Sequence, residues 1–277
     1  MITEEILDFG DVRGIRVGRS LLGNPLMTVI FYHLDDLLID TGPYCARRSV
    51  KHYLDRHGVE RALLTHYHED HAGNAGVLVD RGIRVFGHEE TVRRLAVHNR
   101  LKPYEHIMFG KLEIAQINPL PERVETDHCV LIPIHTPGHS RDHTVYHEPD
   151  RGWLFSGDLF LGAKIKYWRR DEDMSTTLES LDRVLKLDFE TLFCGHNPRL
   201  NNPKRHLESK RQYLGDLVDK VSGLQQQGLG RNRIIALLTK GREKHFAKWL
   251  TLGDASYRNM IKAALDVATS NQQQQGS

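Results

Sequence analysis

The sequence predicts an α/β fold that ends in a helical appendage, and three observations support this. Short runs of strand-forming residues alternate with amphipathic segments as far as about residue 200, the pattern of a sheet whose faces are covered by helices. Beyond that point the strand signals stop and leucine-rich helical spacing takes over. Hydrophobic residues make up 39% of the 277 residues and charged residues 27%, which is the balance of an ordinary globular protein.

The first half of the chain alternates predicted strands with predicted helices. Runs rich in β-branched, aromatic and leucine residues predict strands over 28–33, 37–42, 62–65 and 83–86. Helical spacing of apolar residues predicts helices over 49–57 and 89–97, the first of which has Gly58 as a stop signal.

The second half continues this alternation and then becomes helical. Strands are predicted over 130–132, 144–146, 153–155 and 191–193, and helices over 174–185, 207–224, 234–238 and 257–265. We therefore divide the chain into a main domain over 1–200, a helical appendage over 201–268 and a tail over 269–277. The tail is a polar glutamine tract, for which we expect disorder.

Composition narrows the range of functions. The net charge of +2 gives no reason to expect nucleic acid as the main partner, and the longest apolar run is too short to span a membrane. The acidic N-terminus lacks the pattern of a secretory signal, and three cysteines cannot form a complete disulfide framework, so we expect a cytoplasmic protein. Seventeen histidines make metal chemistry the first hypothesis to test.

The segment THYHEDHAGN, residues 65–74, concentrates metal-binding groups directly after a predicted strand. Residues two apart project to the same side of an extended chain, so His66 and His68 can bind one metal ion together. Asp70 and His71 follow where the chain turns towards the next helix, where they could face a second ion. Imidazole nitrogen and carboxylate oxygen are both good ligands for Zn²⁺.

Three more polar residues occur where predicted strands end. His139 follows a Pro-Gly turn, Asp158 ends an apolar run, and His196 does the same in the sequence FCGHN. A single residue of this kind is more often a turn or cap residue. Their occurrence together with the first segment favours a shared metal site.

The order His66-x-His68-x-Asp70-His71, followed by His139, Asp158 and His196, resembles the metallo-β-lactamase superfamily over roughly residues 12–200. The surrounding sequences HTPGHSRDH and FSGDLF are similar to those of the glyoxalase II and β-lactamase-like hydrolase branch. The resemblance implies a four-layer αββα sandwich for the main domain. It also implies two divalent metal ions at one edge between the sheets, zinc foremost, with iron or manganese as alternatives.

The resemblance also implies roles for the individual residues. One metal ion would be held by His66, His68 and His139, and the other by Asp70, His71 and His196, with Asp158 bridging the two. A bridging hydroxide would attack an ester, thioester or lactone, with Asp70 also placed to take a proton. His143 would either give a supporting hydrogen bond or be a plain strand histidine.

Two regions are candidates for choosing the substrate. Lys164, Lys166 and Tyr167 mix cations with an aromatic ring soon after Asp158 and could bind an anionic group, although a solvated basic loop gives the same pattern. The long stretch 99–121 resembles a lid over the metals. Within the first motif, Tyr67 and Glu69 should point away from the metals, Glu69 as a solvent-side acid.

We therefore expect a metal-dependent hydrolase acting on a small and possibly anionic molecule. One alternative is a mononuclear-iron persulfide dioxygenase, and another is a β-lactamase-like endoribonuclease or phosphodiesterase. The helical appendage mixes acids such as Glu208 and Asp216 among its cations, which does not favour nucleic acid. A third alternative is a regulatory protein whose hydrolase site is incidental to partner binding. The oligomeric state is a separate question, for which a homodimer is one possibility.

Overall fold

The computed structural model describes residues 2–20, 25, 27–98, 100–242 and 245–275. In this part of the chain, one sheet has seven strands that are neighbours in chain order. These are β1 Ile2–Asp8, β2 Arg13–Arg19, β3 Thr28–Leu34, β4 Leu37–Ile39, β5 Arg61–Leu63, β6 Arg84–Gly87 and β7 Asn118–Pro119. The pairs from β1 to β4 are antiparallel and those from β4 to β7 are parallel.

A second sheet has five strands in the order β13-β11-β10-β9-β8. Its members are β8 Val124–Glu125, β9 Val130–His135, β10 Thr144–Glu148, β11 Trp153–Gly157 and β13 Thr191–Cys194. Only the β11–β13 pair among these is parallel. Two short strands, β12 Trp168–Arg169 and β14 Ala255–Ser256, pair separately and connect the second half of the main domain to the C-terminal region.

Helices lie in the connections between strands and after the last strand of the second sheet. Those in the first half are α1 Arg47–Leu54, α2 Ala75–Val79, α3 Glu89–Leu95 and α4 Pro103–Phe109. Those in the second half are α5 Met174–Val184, α6 Pro203–Gln226, α7 Arg231–Thr239, α8 His245–Leu250 and α9 Tyr257–Gln275. None of the described helices has both the length and the apolar character needed to cross a bilayer.

Side-chain alternation along the strands builds a four-layer sandwich. In β3, Phe31 packs outward in one cluster with Val50 of α1 and Leu78 of α2, whereas Tyr32 packs inward between the sheets. The inward ring of Tyr32 lies 5.6 Å from Phe155 and 5.3 Å from the ring of Phe193 in the second sheet. The predicted αββα architecture is therefore confirmed.

The C-terminal helices cover the outer face of the second sheet. One apolar cluster joins Leu154 and Leu192 of that sheet to Leu181 of α5, Leu207 of α6 and Ile261 of α9. The fourth layer is thus built by α5 together with helices from the predicted appendage, because their apolar stripes need a partner to exclude water.

The last helix runs into the segment 269–277, for which disorder stays a prediction. Helix α9 continues to Gln275, and only residues 276–277 of that tail lie outside the described part of the chain. Ala268 is buried, and the Thr269 hydroxyl donates to the Leu265 carbonyl at 2.8 Å and accepts from the Gln225 amide at 3.1 Å. These contacts hold helix α9 in place as far as Thr269, the first residue of the predicted tail.

The first hairpin, β1 and β2, was also not predicted from the sequence. Its strands mix charged residues with glycines, which weakens a strand signal. Pairing compensates for this, since Arg16 and Glu5 are directly opposite in the register and form an ion pair at 2.6 Å.

Candidate metal centre

The structure brings all seven predicted metal-binding residues together at one edge of the sandwich. His66, His68, Asp70 and His71 follow β5, and the other three follow β9, β11 and β13 of the second sheet. They fall into overlapping groups of ligand atoms that lie within 4.8 Å of one another: His66, His68 and His139; His66, His71 and Asp158; Asp70, His71 and His196.

The first group consists of three imidazoles whose nitrogens converge. His66 Nε2 lies 2.9 Å from His68 Nδ1, which lies 3.0 Å from His139 Nε2. Ligand nitrogens of a tetrahedral zinc site are separated by roughly 3.3 Å, since each lies about 2.0–2.1 Å from the metal. The three rings therefore have the spacing of ligands to one ion.

The second group combines carboxylate and imidazole. His71 Nε2 and His196 Nε2 lie 3.2 and 3.3 Å from Asp158 Oδ1, and 3.8 and 3.7 Å from Asp70 Oδ2. The other oxygen of Asp158, Oδ2, lies 3.3 Å from His139 Nε2 in the first group. Asp158 therefore presents one oxygen to each group, which is the arrangement of a bridging carboxylate.

The pKa shifts of His66 and Asp158 favour the unprotonated forms, which are the forms that bind a cation. Burial first, and then the neighbouring imidazoles of His71 and His68, hold the pKa of His66 well below its usual value, so its nitrogen is free to bind metal. Burial alone would raise the pKa of Asp158, but His196 and His71 hold it well below its usual value and keep the carboxylate ionised.

Two buried atoms that face this centre make no hydrogen bond of acceptable geometry, although they lie 3.2 Å apart. They are His71 Nε2 and Asp158 Oδ1. Burial lowers the pKa of His71, but the carboxylates of Asp158 and Asp40 outweigh it and raise that pKa well above its usual value. The acids therefore draw positive charge to this position, either a proton or a metal ion, and the residues fit a divalent cation.

The rear nitrogens of the imidazoles are held by groups that the sequence analysis missed. Asp40 Oδ2 accepts from His71 Nδ1 at 2.7 Å, Glu172 Oε1 lies 3.1 Å from His139 Nδ1, and the Thr28 carbonyl accepts from His196 Nδ1 at 2.6 Å. Such contacts fix the tautomer and the orientation of a metal-binding ring. Asp40 directly follows β4, a strand-end position like that of Asp158, so the same sequence signal could have found it.

His143 is fully buried between two partners. Its Nε2 accepts a hydrogen bond from the Asp158 backbone amide at 3.1 Å, and its Nδ1 lies 2.9 Å from the Thr136 hydroxyl. It contacts the main chain of a candidate ligand rather than the candidate metal positions, and burial first of all lowers its pKa.

Two glycines of the motifs allow close approach to the centre. A Cβ at Gly195 would lie 2.6 Å from His71 Cε1, and a Cβ at Gly73 would lie 2.5 Å from the Glu69 carbonyl oxygen. Any side chain at either position would displace the loop that carries the ligands, which explains the glycine in FCGHN and in HAGN.

The expectation for Glu69 is wrong, because its side chain is buried rather than on the solvent side. Burial and the charge of Asp70 raise the pKa of Glu69 to about 8. Arg169 lies 3.9 Å from Glu69 Oε1 and 3.0 Å from Glu105 Oε1, so it joins the metal-binding loop to helix α4. Alternation along the chain placed Glu69 away from the metals but could not show that other segments cover it.

Helix α4 lies within the predicted lid 99–121, whose first residue is outside the described part of the chain. It is attached to the C-terminal region, because the Tyr104 hydroxyl donates to Asp254 Oδ2 at 2.6 Å and Lys102 Nζ lies 2.7 Å from the same atom. A role as a lid stays a prediction.

The predicted substrate-binding residues lie on the segment between Asp158 and β12. Lys164, Lys166 and Tyr167 are all exposed there. Beside the candidate metal centre is an open groove of about 660 Å³ lined by Tyr67, Gly138 and Glu172 among others. Binding of substrate by the three exposed residues stays a prediction.

The family model described as "Metallo-beta-lactamase superfamily" matches residues 22–196 of the chain. The chain therefore belongs to the metallo-beta-lactamase superfamily, and the predicted family is confirmed. Divalent metal ions are the cofactors that membership of this family implies, and similar proteins include ones named as a hydroxyacylglutathione hydrolase and a thioesterase, which are hydrolases.

Three curated relatives are similar to the chain over part of their lengths. The "Beta-lactamase-like protein 2 homolog" of Drosophila melanogaster is 28% identical over 62% of this chain and 58% of its own length. A "Hydroxyacylglutathione hydrolase" of Legionella pneumophila is 30% identical over 51% of this chain and 50% of its own length. The "Thioesterase pkgB" of Emericella nidulans is 28% identical over 60% of this chain and 44% of its own length. The chain thus matches about half the length of these relatives.

A solved structure supports the fold. The metallo-beta-lactamase family protein of Thermus thermophilus superposes with a TM-score of 0.64 at 21% identity, covering 96% of this chain and 94% of that one. The similarity includes the C-terminal helices as well as the sandwich, since nearly the whole of both chains is covered.

Proposed function

We propose that the protein is a dinuclear metallohydrolase that cleaves a small ester, thioester or lactone. The observation that carries this proposal is the position of Asp158, whose two oxygens each lie within 3.3 Å of imidazole nitrogens from a different group. A carboxylate shared in this way suits two adjacent cations better than one.

The donor set supports zinc in both positions. His66, His68 and His139 would hold one ion, Asp70, His71 and His196 would hold the other, and Asp158 would bridge them. Zinc accepts this mixture of nitrogen and oxygen ligands, although iron and manganese accept it too. When bound, such ions lower the pKa of water towards about 7 and polarise a carbonyl oxygen.

The protein's own groups supply the remaining chemistry. Asp70 lies at the edge of the second group, 7% exposed, where its carboxylate would accept the proton that the attacking water loses and pass it to the departing alkoxide or thiolate. His143 holds the backbone of Asp158, and Asp40 holds the ring of His71. Both contacts keep ligand atoms in place before the substrate arrives, which reduces reorganisation during the reaction.

The proposed substrate is a small anionic molecule. Two divalent cations carry more positive charge than Asp70 and Asp158 can neutralise, so the centre attracts negative groups. Lys164, Lys166 and Tyr167 are exposed on the segment after Asp158 and could contact the part of the substrate that is not cleaved. Because one relative is named for hydroxyacylglutathione hydrolysis, a glutathione thioester is the first substrate to test.

The experiment combines metal quantification with a substrate panel of S-lactoylglutathione, a lactone and a phosphodiester. We expect two divalent ions per chain and hydrolysis of the first or second compound. His68→Ala should lose bound metal and at least 100-fold of the turnover, whereas His128→Ala, which changes an exposed histidine, should lose neither. Full turnover by His68→Ala, or a single iron with oxygen consumption on glutathione persulfide, would overturn the proposal.

A cytoplasmic location and a homodimer stay predictions from the sequence. Size-exclusion chromatography with light scattering on the purified protein tests the second of these.

A further inference from the structure

Helix α6 carries a lysine whose charged group is buried behind the metal centre. Lys210 is 4% exposed, and its Nζ donates a hydrogen bond to the Leu159 carbonyl at 2.5 Å. Leu159 is the residue directly after the candidate bridging ligand Asp158. The C-terminal region therefore contacts the main chain of the site, although it contributes none of the seven candidate ligands.

This contact is one of three on consecutive residues. The Asp158 amide donates to His143 Nε2 at 3.1 Å, the Leu159 carbonyl accepts from Lys210, and the Phe160 carbonyl accepts from the Cys194 thiol. The three partners come from the residue directly before β10, from α6 and from β13. Each fixes one peptide group, so together they fix the direction in which the side chain of Asp158 leaves the main chain.

A lysine in this position carries an energetic cost that calls for a reason. Burying an ammonium group without full solvation is unfavourable, and two nearby divalent cations would add repulsion. Burial is the main cause that lowers the pKa of Lys210, and the charges of Glu172 and Asp158 counteract it. An apolar residue of similar length would fill the space without this cost but would leave the Leu159 carbonyl without a partner.

We propose that Lys210 is a positioning residue of the metal centre, which holds the Leu159 peptide so that Asp158 directs one oxygen to each metal. The inference rests on the proposed dinuclear centre. It also assigns the C-terminal helices a function, since α6 stabilises the geometry of ligands that lie on the main domain. The Ser156 carbonyl accepts from the Leu159 amide at 3.0 Å and holds the peptide between Asp158 and Leu159, and Lys210 holds the next peptide. Loss of the Lys210 contact would free that next peptide, so the turn after Asp158 could shift and one carboxylate oxygen could leave its position.

The test measures zinc affinity of the full chain by competition with a chromophoric chelator. Lys210→Met removes the donor and the charge at nearly constant volume. Loss of the positive charge by itself would favour zinc, so weaker binding reports the lost hydrogen bond. We expect zinc binding to weaken by about 10-fold, the lower end of the range for groups that hydrogen-bond a metal ligand directly, because Lys210 acts through the main chain. The spectrum of the Co²⁺-loaded variant should also change, because it reports on ligand geometry.

Two control variants on the same helix separate positioning from stability. Lys220→Met removes an exposed lysine and should leave both zinc affinity and unfolding unchanged. Leu214→Ala removes a fully buried leucine of α6, so it should lower the unfolding temperature without changing the zinc affinity of the folded protein. If Lys210→Met does not fold, Lys210→Gln replaces it, since its shorter side chain cannot reach the carbonyl.

Zinc affinity of a folded Lys210 variant within twofold of the parent would overturn the inference. So would a loss of affinity in Leu214→Ala as large as that in the Lys210 variant, since stability alone would then explain both. The proposed function fails in a different way, namely if the parent binds two zinc ions and hydrolyses nothing in the substrate panel. That result would leave the comparison of zinc affinities valid.

Discussion

The Asp40→Asn variant is the most direct test of how the centre is held. Asp40 is 2% exposed and accepts hydrogen bonds from His71 Nδ1 at 2.7 Å, from the Thr65 amide at 2.8 Å and from the Thr65 hydroxyl at 2.9 and 3.0 Å. An asparagine has one oxygen, so its NH₂ group must face either His71 or the Thr65 amide. The substitution should not strain the backbone, because asparagine tolerates the left-handed φ of 63° that residue 40 adopts.

The expected magnitude follows from these contacts. A hydrogen bond to a charged group contributes about 1.5–3 kcal/mol. If the NH₂ group faces His71, the ring loses its acceptor and the tautomer that presents Nε2 to the metal is no longer favoured. We therefore expect metal affinity to fall by about 10- to 100-fold, or roughly 1.4–2.7 kcal/mol, the range found when such supporting partners are removed.

The assay is zinc affinity by chelator competition, together with thermal unfolding of the metal-free and zinc-loaded protein. Asp36→Asn is the matched control, because Asp36 also accepts two hydrogen bonds, at 2.7 Å each from Arg61, but lies away from the centre. It should alter stability and leave zinc affinity unchanged. If Asp40→Asn binds zinc as tightly as the parent does, the reasoning about ring orientation is refuted.

Two further predictions concern other parts of the molecule. Burial, followed by the charge of His57, lowers the pKa of His33 from 6.5 to about 4 in the folded protein. Between pH 6.5 and pH 4 the unfolded chain therefore binds the proton more readily than the folded protein does, and the stability of the fold decreases as the pH is lowered through this range. Between pH 7.5 and 5 the parent should lose about 2 kcal/mol more than His33→Phe in urea unfolding, and equal losses would contradict this. Gly195→Ala should weaken zinc binding at least tenfold, because the new Cβ would lie 2.6 Å from His71, whereas Gly162→Ala, with nothing within 4 Å, should bind normally. Zinc binding by Gly195→Ala as tight as that of Gly162→Ala would contradict this prediction, because the loop at residue 195 would then accommodate the extra methyl group without displacing His71.

The sequence was most informative where chemistry is concentrated in a short segment. His66, His68, Asp70 and His71 lie within six residues after a strand, and no tertiary information is needed to see that they could share a metal site. Strands in the middle of the chain were also predicted from local sequence, because each contains a continuous run of apolar residues. Hairpin β1–β2 was missed because its stabilisation comes from pairing between strands rather than from residue type.

Supporting residues were harder to find because nothing local marks them. Lys210 looks like a solvent-facing lysine in a helix rich in charge, and only packing of α6 against the second sheet buries it. Glu69 was wrongly expected at the surface for a related reason. The local sequence pattern gives the side of the chain to which the Glu69 side chain points. That side is covered by Arg169, which lies 100 positions further along the chain and pairs with Glu105 of α4.

The sequence by itself determined the α/β architecture and the superfamily, and it predicted a set of candidate metal ligands, because alternation and motif spacing are local properties of a chain. Only the tertiary structure decided that both oxygens of Asp158 face imidazole nitrogens, which groups contact the rear nitrogens of the rings, and that Lys210 contacts the main chain beside Asp158. Those features depend on contacts between residues far apart in the chain. Such contacts exist only after the sheets and helices have packed to bury their apolar faces.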